Sequence, residues 1–324
     1  MKRFFVLAVS MVALLVIFTE SGSAWAQRYP SKPVRFVVPS GIGISTDILT
    51  RLVATKLNER LGWITVVENR PGGNFVIGIQ NVLQAPPDGY SVLAAVSSFA
   101  ILPLSTKNLP FDLLRDLLPV TRIADVPLLV FVNPDLPVKS LPELVAYVKA
   151  NPGKLSYATT GSGSFTHLAG EIMKQTNGMN MVHVPYRDSA LVADVMSGSV
   201  PVGISVAPTL LAQLKSGRLR PLGVLGLKRI SGLGDVPTIG ETGLPIQNTD
   251  VWYGIMVRAG TSAEIVSTLN REIVRILELP DMREQFLNMG ANPSPETPAD
   301  FRQKIEAEMR IFARVIKDAQ IKFD

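Results

Sequence analysis

Two glycine- and hydroxyl-rich stretches of the chain contain the residue types that bind anions through the backbone. The first, Gly41-Ile-Gly-Ile-Ser-Thr-Asp47, follows an apolar run at 34–38 and precedes apolar residues at helical spacing from 48 to 57. A strand, a glycine turn and a helix start direct unpaired N–H groups and the positive end of a helix dipole at one spot. We therefore predict half of a carboxylate clamp there. An ordinary βα turn, whose glycines serve the turn geometry alone, is the alternative.

The second stretch, Gly161-Ser-Gly-Ser-Phe-Thr-His167, repeats this arrangement between a short strand at 155–158 and a helix. A serine beside a histidine also suggests a hydrolase, but neither the spacing nor an identifiable third member supports a catalytic triad. The chain has two histidines and no cysteine, and it lacks the G-x-S-x-G, Walker and H-E-x-x-H motifs. We therefore expect no catalytic residue, no metal and no cofactor.

Each titratable residue near these stretches has a structural interpretation beside a functional one. His167 could contact a ligand, but a histidine near a helix start is more often a local structural partner, which we favour. His183 lies in an apolar strand and is interpreted as a core histidine. Asp47 binds a ligand amine or caps its helix, and capping is the safer interpretation. Arg187 and Asp188 are either pocket charges or a solvated turn. In a pocket, Arg187 could hold a second ligand carboxylate in bidentate fashion.

Alternating strands and helices must position the first stretch. Strands at 34–38, 64–67 and 90–96 alternate with helices at 48–57 and 77–83, which predicts a βαβ series with a largely parallel sheet. Ligands sit beyond the carboxyl ends of such strands. The loops at 40–46 and 72–74 and the pair Ser97 and Ser98 should therefore share one rim.

A second lobe of the same kind should position the second stretch. A strand from Val126 to Val132 is expected to cross into it, after an irregular, proline-punctuated segment at 103–119. A strand from Val251 to Val257 returns, and its Trp252 and Tyr253 should pack at the crossing, with Trp252 also a candidate pocket wall. We predict an α/β fold of two hinged lobes, each a mainly parallel sheet flanked by helices. Lobe one is assigned to residues 27–125 and 247–324, and lobe two to residues 126–246.

The N-terminal residues predict export. Lys2 and Arg3 precede an apolar run at 4–18 and the sequence Ala24-Trp-Ala26, which together have the form of a signal peptide cleaved after Ala26. A membrane anchor is the alternative, but the run is short for a span. The net charge of +5 comes from scattered residues, so we expect no nucleic-acid partner. The absence of cysteine excludes disulfides and a lipid-modified cysteine.

An ordered set of short motifs resembles the Bug family of periplasmic solute-binding proteins, over essentially the whole chain from Tyr29. The motifs are Tyr29-Pro-Ser-Lys-Pro33, Val67-Glu-Asn-Arg-Pro-Gly72, Ala85-Pro-Pro-Asp-Gly-Tyr90, Asn151-Pro-Gly-Lys-Leu-Ser-Tyr157, Gly161-Ser-Gly-Ser164, His167-Leu-Ala-Gly-Glu171, His183-Val-Pro-Tyr186, Asp235-Val-Pro-Thr238 and Glu241-Thr-Gly-Leu-Pro245. The resemblance implies a two-lobed periplasmic binding protein that closes on a small carboxylate, held largely by backbone N–H groups and bridging waters.

The resemblance also implies a membrane permease of the tripartite tricarboxylate type as the partner, and we expect a monomeric receptor. A ligand sensor for a membrane kinase and, in a different class, an exported hydrolase are the alternatives. The candidate ligand-binding residues, from spacing and resemblance together, are Ser40, Gly41, Ile42, Gly43, Ser45, Thr46, Asp47, Ser97, Ser98, Gly161, Ser162, Gly163, Ser164, His167, Tyr186, Arg187, Asp188 and Ser205.

The chain departs from the family pattern at several of these positions. Ile44 stands where the family usually has a second glycine, and Gly73-Asn-Phe-Val-Ile-Gly78 replaces a stretch that usually contains Asn-Ile-Gly. Bulky apolar groups at Ile42, Ile44 and Phe75 suggest a pocket with more apolar lining. From these departures we expect an aromatic or branched carboxylate. For the ligand class as a whole, an aromatic carboxylate or a dicarboxylate is our expectation.

Overall fold

The computed structural model describes residues 29–186, 188–226, 228–244, 250–318 and 321. The predicted signal peptide and its cleavage site lie outside the described residues, as does Arg187. Residues 33–324 form one compact unit. None of the described helices is both long and apolar enough to span a bilayer.

A parallel sheet opens the first lobe. Val34, Phe36, Val37 and Val38 are fully buried, as expected of a strand covered on both faces. This strand pairs in parallel with its two neighbours, so the predicted βαβ series is confirmed. The elements are β1 Val34–Val38, α1 Ser45–Leu61, β2 Thr65–Asn69, α2 Val76–Gln84 and β3 Ser91–Val96.

One long strand connects the lobes. A 3-10 helix at Ser97–Ala100 and two short helices, α3 Leu102–Ser105 and α4 Leu113–Asp116, lead into β4 Leu117–Val132. The predicted strand from residue 126 is therefore too short at its beginning. In the sequence, Pro119 and Pro127 suggest that no strand passes through this segment. In the structure the strand continues, and its pairing register shifts between Pro119 and Thr121. An irregularity of this kind accommodates a proline within a strand.

The second lobe repeats the parallel arrangement. Its elements are α5 Leu141–Ala150, β5 Ser156–Thr159, α6 Phe165–Asn177, β6 Val182–Pro185, α7 Ala190–Ser197, β7 Val202–Val206, α8 Ala207–Lys215, β8 Arg220–Val224 and a 3-10 helix at Ile239–Thr242. The central strands pair in parallel in the order β7-β5-β6, while β4 and β8 are antiparallel to their neighbours.

The chain then returns to the first lobe. The returning elements are β9 Asp250–Arg258, α9 Ala263–Leu277, α10 Pro280–Asn288, β10 Asn292–Pro293 and α11 Pro298–Asp318. The strand order β2-β1-β3-β9-β4-β7-β5-β6 places the two crossing strands in the middle, antiparallel to each other. The sheets are thus mixed, with parallel pairing in the outer part of each lobe. β4 changes its pairing partner between Pro127 and Leu128, close to the predicted boundary between residues 125 and 126. The lobe boundaries themselves remain a prediction.

Buried aromatic residues fill the crossing. Trp252 is 0% exposed and packs edge-on against Phe301 of α11, with 5.0 Å between ring centroids. Tyr157 and Phe131 are fully buried in the second lobe. Gly254 lies beneath Phe301, where a Cβ would come within 2.4 Å of the phenylalanine Cζ and 3.0 Å of the Thr121 carbonyl oxygen. The crossing therefore depends on a residue without a side chain on β9.

We expect Gly254→Ala to destabilise the fold by about 1–3 kcal/mol, because the added methyl overpacks a closed core. Gly234→Ala is the matched control, since a Cβ there would meet nothing within 4 Å. Urea unfolding of both variants measures the difference. Equal stability of the two variants would show that the crossing tolerates a larger residue.

Candidate functional site

A cavity of about 700 Å³ lies between the lobes. The first lobe contributes residues from the loops at 39–46 and 71–75, together with Val96 and Ser98, and the second lobe contributes residues from 160–166 and 205–209. The structure therefore brings the predicted rim loops to one place. Of the predicted site residues, those that line the cavity are Ser40, Ser45, Thr46, Ser98, Gly161, Ser162 and Ser205.

Other predicted site residues are not part of the lining, for physical reasons that differ. Ile42 is 69% exposed on the outer surface, so its apolar side chain does not narrow the cavity. Tyr186 donates its hydroxyl hydrogen to Asp194 Oδ2 at 2.5 Å, and burial with this bond raises its pKa to about 12. Asp188 accepts from the Ala190 N–H at 2.9 Å, as a turn residue would. The remaining residues outside the lining are Gly41, Gly43, Asp47, Ser97, Gly163, Ser164 and His167.

Asp47 holds the first loop together. Gly43, at φ +80°, donates its N–H to Asp47 Oδ2 at 3.0 Å. The other carboxylate oxygen accepts from Arg51 Nε at 2.8 Å and from Asn69 Nδ2 at 2.9 Å. Burial would raise the pKa of Asp47, but these hydrogen bonds hold it below its ordinary value. The carboxylate is therefore committed to the loop and has no free oxygen for a ligand amine. The preferred interpretation of Asp47 as a helix cap is wrong, because Ile44 is the N-cap residue of α1 and no side chain caps this helix.

His167 does the same for the second loop. Gly163, at φ +71°, donates its N–H to His167 Nδ1 at 3.2 Å, and Ser164 Oγ accepts from the His167 N–H at 3.2 Å. In both loops a glycine N–H thus bonds to the side chain four residues later. The His167 ring is buried, and the preferred interpretation of this histidine as a structural partner agrees with its place.

Three helices begin at the cavity without a capping side chain. The residues at the N-cap positions of α1, α2 and α8 are Ile44, Phe75 and Val206, and none of these helices has a side-chain cap. Elsewhere Ser140 caps α5 and Ser262 caps α9. An uncapped start leaves N–H groups without intrahelical partners and adds the positive end of the helix dipole. At α2, however, the Val76 and Ile77 N–H groups donate to the Gly73 and Gly72 carbonyl oxygens. The starts of α1 and α8 are therefore the donors that the cavity offers to an anion.

The second loop offers fewer donors than the sequence predicted. Ser164 caps α6, and the Phe165 N–H donates to Ser98 Oγ of the first lobe at 3.0 Å. The Thr160 N–H donates to Thr166 Oγ1 at 3.0 Å. Most N–H groups of this loop are thus used within the protein. In the second lobe, the unpaired N–H donors are therefore those at the start of α8, beside Ser205 and Thr209.

Three buried hydroxyl groups at the cavity have no hydrogen-bond partner among the described residues. They are the Oγ atoms of Ser40, Ser105 and Ser205, and all three residues line the cavity. Ser205 is 0% and Ser40 is 4% exposed. Leaving a buried hydroxyl unpaired costs about 1–3 kcal/mol. Such a set fits a cavity that pairs these groups with a polar ligand.

The charges of the cavity also favour an anion. Among the described residues that line it there is no aspartate and no glutamate, and Lys107 is the one charged side chain. The described lining therefore contains no carboxylate that could pair with a ligand ammonium. Ile44, Phe75 and Phe165 contribute apolar surface, so two of the three predicted bulky groups, Ile44 and Phe75, line the cavity.

Comparisons with known proteins agree with this geometry. The family model described as the tripartite tricarboxylate transporter family receptor matches residues 49–321. The chain belongs to this receptor family. It is similar to the protein BugT of Bordetella pertussis, with 35% identity over 300 residues that cover 92% of each chain. The predicted resemblance to Bug proteins is thereby confirmed.

Solved structures of the family show the same fold. A Rhodopseudomonas palustris protein, Rpa4515, solved with adipate, is 33% identical, with a TM-score of 0.88 over 91% of this chain and 99% of the other. MatC from Rhodopseudomonas palustris, solved with malate, is 25% identical, with a TM-score of 0.83 over 89% of this chain and 100% of the other. The two-lobed α/β periplasmic binding fold is therefore confirmed.

Sequence reasoning missed several lining residues of this receptor. Residues 105–107 lie in the segment interpreted only as irregular, and no pattern marks them. Thr209 had a usable signal, because the apolar Val206 followed by Pro208 is a poor cap at a helix start. On β9, Val251 and Tyr253 line the cavity, whereas Trp252, the suggested wall, is buried in the core.

The two lobes of the receptor touch across the cavity. The hydroxyls of Ser45 and Thr209 are hydrogen-bonded at 2.7 Å. On the other side, a Cβ on Gly163 would come within 2.7 Å of Ser105 Cβ and 3.1 Å of Asn74 Nδ2. The second loop therefore approaches the first lobe closely at a glycine.

We expect Gly163→Ala to weaken ligand binding by more than about tenfold, because the methyl opposes closure and affinity falls with the closed population. The sequence suggested that Gly163 contacts the ligand. In the structure, a side chain at this position would instead contact the first lobe. Gly217→Ala is the control, with φ +70° and nothing within 4 Å of the added Cβ. Calorimetric titration and small-angle scattering measure affinity and closure. Normal binding by Gly163→Ala would contradict the closure role.

A second histidine makes the stability of this lobe sensitive to pH. The His183 ring stacks on His167 with centroids 3.8 Å apart and planes 6° apart, and its Nε2 lies 2.6 Å from Thr159 Oγ1. Burial, together with the neighbouring His167 and Lys174, lowers the pKa of His183 to about 3, against the opposing effect of Glu171. The folded protein therefore keeps this ring neutral at pH values where the unfolded chain protonates it.

Stability should fall on acidification between the ordinary histidine pKa near 6.5 and the folded value, since only the unfolded state binds the proton in this window. From pH 7.5 to pH 5.0 we expect His183 to account for about 2 kcal/mol of lost unfolding free energy. The matched measurement is His183→Gln, whose loss over the same interval should be smaller by that amount. Identical pH dependence in the variant would contradict a neutral, partly buried ring.

Proposed function

We propose that this chain is an exported periplasmic receptor that closes on a small organic carboxylate and presents it to a membrane permease of the tripartite tricarboxylate type. The observation that carries the proposal is the convergence of uncapped helix starts and unpaired buried serines on one cavity. Two relatives solved with adipate and with malate support the same ligand class.

A carboxylate suits these donors because each of its oxygens accepts two hydrogen bonds. The N–H groups at the starts of α1 and α8 and the hydroxyls of Ser40 and Ser205 can share one such group. Helix dipoles favour the negative charge from both lobes. Binding then bridges the lobes at the place where Ser45 already contacts Thr209, which stabilises the closed form.

The body of the ligand faces apolar surface. Phe75 lines the cavity and packs against Phe99 with ring centroids 5.7 Å apart. Phe165 and Ile44 add to the same lining. A carboxylate attached to an aliphatic or aromatic body therefore fits better than a densely hydroxylated one.

Export by a signal peptide cleaved after Ala26, a hinge at the two crossing strands and a monomeric receptor are parts of the same proposal. The hydrolase alternative is weaker, because the ring nitrogen of His167 accepts from a backbone N–H and this residue is not part of the cavity lining. A sensor that reports the closed form to a membrane kinase would use the same site.

Thermal unfolding of the mature chain, residues 27–324, with mono- and dicarboxylates tests the proposal. A ligand at about 100 times its Kd should stabilise the protein by about 2.7 kcal/mol, and mass spectrometry should recover it unchanged. Ile44→Asp should abolish the shift, because a capping carboxylate satisfies the N–H groups of α1 and repels an anion. Leu279→Asp, at the uncapped start of α10 away from the cavity, should bind normally. Product formation, or no stabilisation by any carboxylate, would overturn the proposal.

A further inference from the structure

A polar segment at residues 105–107 faces the cavity and has no part in the donor set described above. Ser105, Thr106 and Lys107 all line the cavity, between the end of α3 and the start of α4. They are consecutive residues of the first lobe, opposite the second loop, since Gly163 would meet Ser105 if it carried a Cβ. The cavity thus has a second polar region, formed by residues 105–107, besides the one at the contact of Ser45 with Thr209.

Two groups of this segment are chemically unused within the described part of the chain. The Oγ of Ser105 is buried without a hydrogen-bond partner. The Lys107 ammonium makes no ion pair or hydrogen bond with the described residues, whereas Lys56, Lys174 and Lys304 are paired with carboxylates. An exposed, unpaired cation beside a buried hydroxyl is suited to an anionic or hydrogen-bonding group of a ligand.

Lys107 is also the one charged side chain among the described lining residues, and no carboxylate accompanies it. The two polar regions share a cavity lined by the apolar side chains of Ile44, Phe75 and Phe165. A ligand with a polar group at each end and an apolar body between them matches this distribution.

We propose that the 105–107 segment binds the distal carboxylate of a dicarboxylate. Lys107 is the specificity-determining residue, and the Ser105 hydroxyl donates a hydrogen bond to the same carboxylate. This inference rests on the proposed function and names its ligand class. The receptor then selects dicarboxylates over monocarboxylates of equal length, and it rejects ligands whose distal end is an ammonium.

Calorimetric titration with adipate, hexanoate and 6-aminohexanoate tests this selection, because the three share a chain length and differ at the distal end. The wild-type protein should prefer adipate. Lys107→Met should weaken adipate about tenfold, as expected for loss of a charge-assisted hydrogen bond, and should change hexanoate by less than about twofold. Lys154→Met, at an exposed turn remote from the lining, is the control and should change neither.

Charge reversal provides a gain of binding that a merely structural role would not produce. Lys107→Glu should weaken adipate further and strengthen 6-aminohexanoate, because the distal charges now attract. If Lys107→Met lost affinity for adipate and hexanoate equally, or for neither, the inference would be overturned. Binding of hexanoate would still support the proposed function. Failure of the wild-type protein to bind any carboxylate would overturn the proposed function itself.

Discussion

Unsatisfied backbone donors at helix starts are the constraint on which the cavity depends. Each helix must leave its first N–H groups to a cap, to water or to a ligand. This chain places apolar N-cap residues, Ile44, Phe75 and Val206, at three helices that meet at one cavity. Replacing a good cap by such a residue costs about 0.5–2 kcal/mol. The same chain uses serine caps at α5 and α9, whereas α10 is uncapped away from the cavity. The cavity is therefore distinguished by the convergence of uncapped starts and not by a missing cap alone.

Open donors need loops that keep their shape without a ligand. The two glycine turns solve this in the same way, with Gly43 bonded to Asp47 and Gly163 bonded to His167. Each bond closes a loop beside a helix start, although one acceptor is a carboxylate and the other an imidazole. Further bonds from Arg51 and Asn69 secure Asp47, while stacking on His183 secures His167. The site is thus preorganised by residues that do not line it, which limits the entropy lost on binding.

Local pattern was enough to predict the strand–turn–helix units and the serines that follow strand ends, Ser40 and Ser98. Ser205, which lies within β7, came from the family resemblance. Local pattern was not enough to say which side of a turn faces the cavity, so Ile42 and Asp47 were included with them. Tertiary pairing decided the length of β4, because its prolines sit where the pairing tolerates them. Residues 105–107 join the site only through the approach of the other lobe. No periodicity within 103–119 contains that information.

Two kinds of polar group lie where the lobes meet. Hydroxyl and backbone bonds such as Ser45 with Thr209 and Phe165 with Ser98 join the lobes directly, whereas the Oγ atoms of Ser40 and Ser205 stay unpaired. If every donor were satisfied by the opposite lobe, closure would need no ligand and would report nothing. A ligand shifts the equilibrium only through contacts that the closed protein lacks by itself. Under the proposed function, the unpaired serines and the uncapped starts of α1 and α8 are the groups through which a bound ligand favours closure.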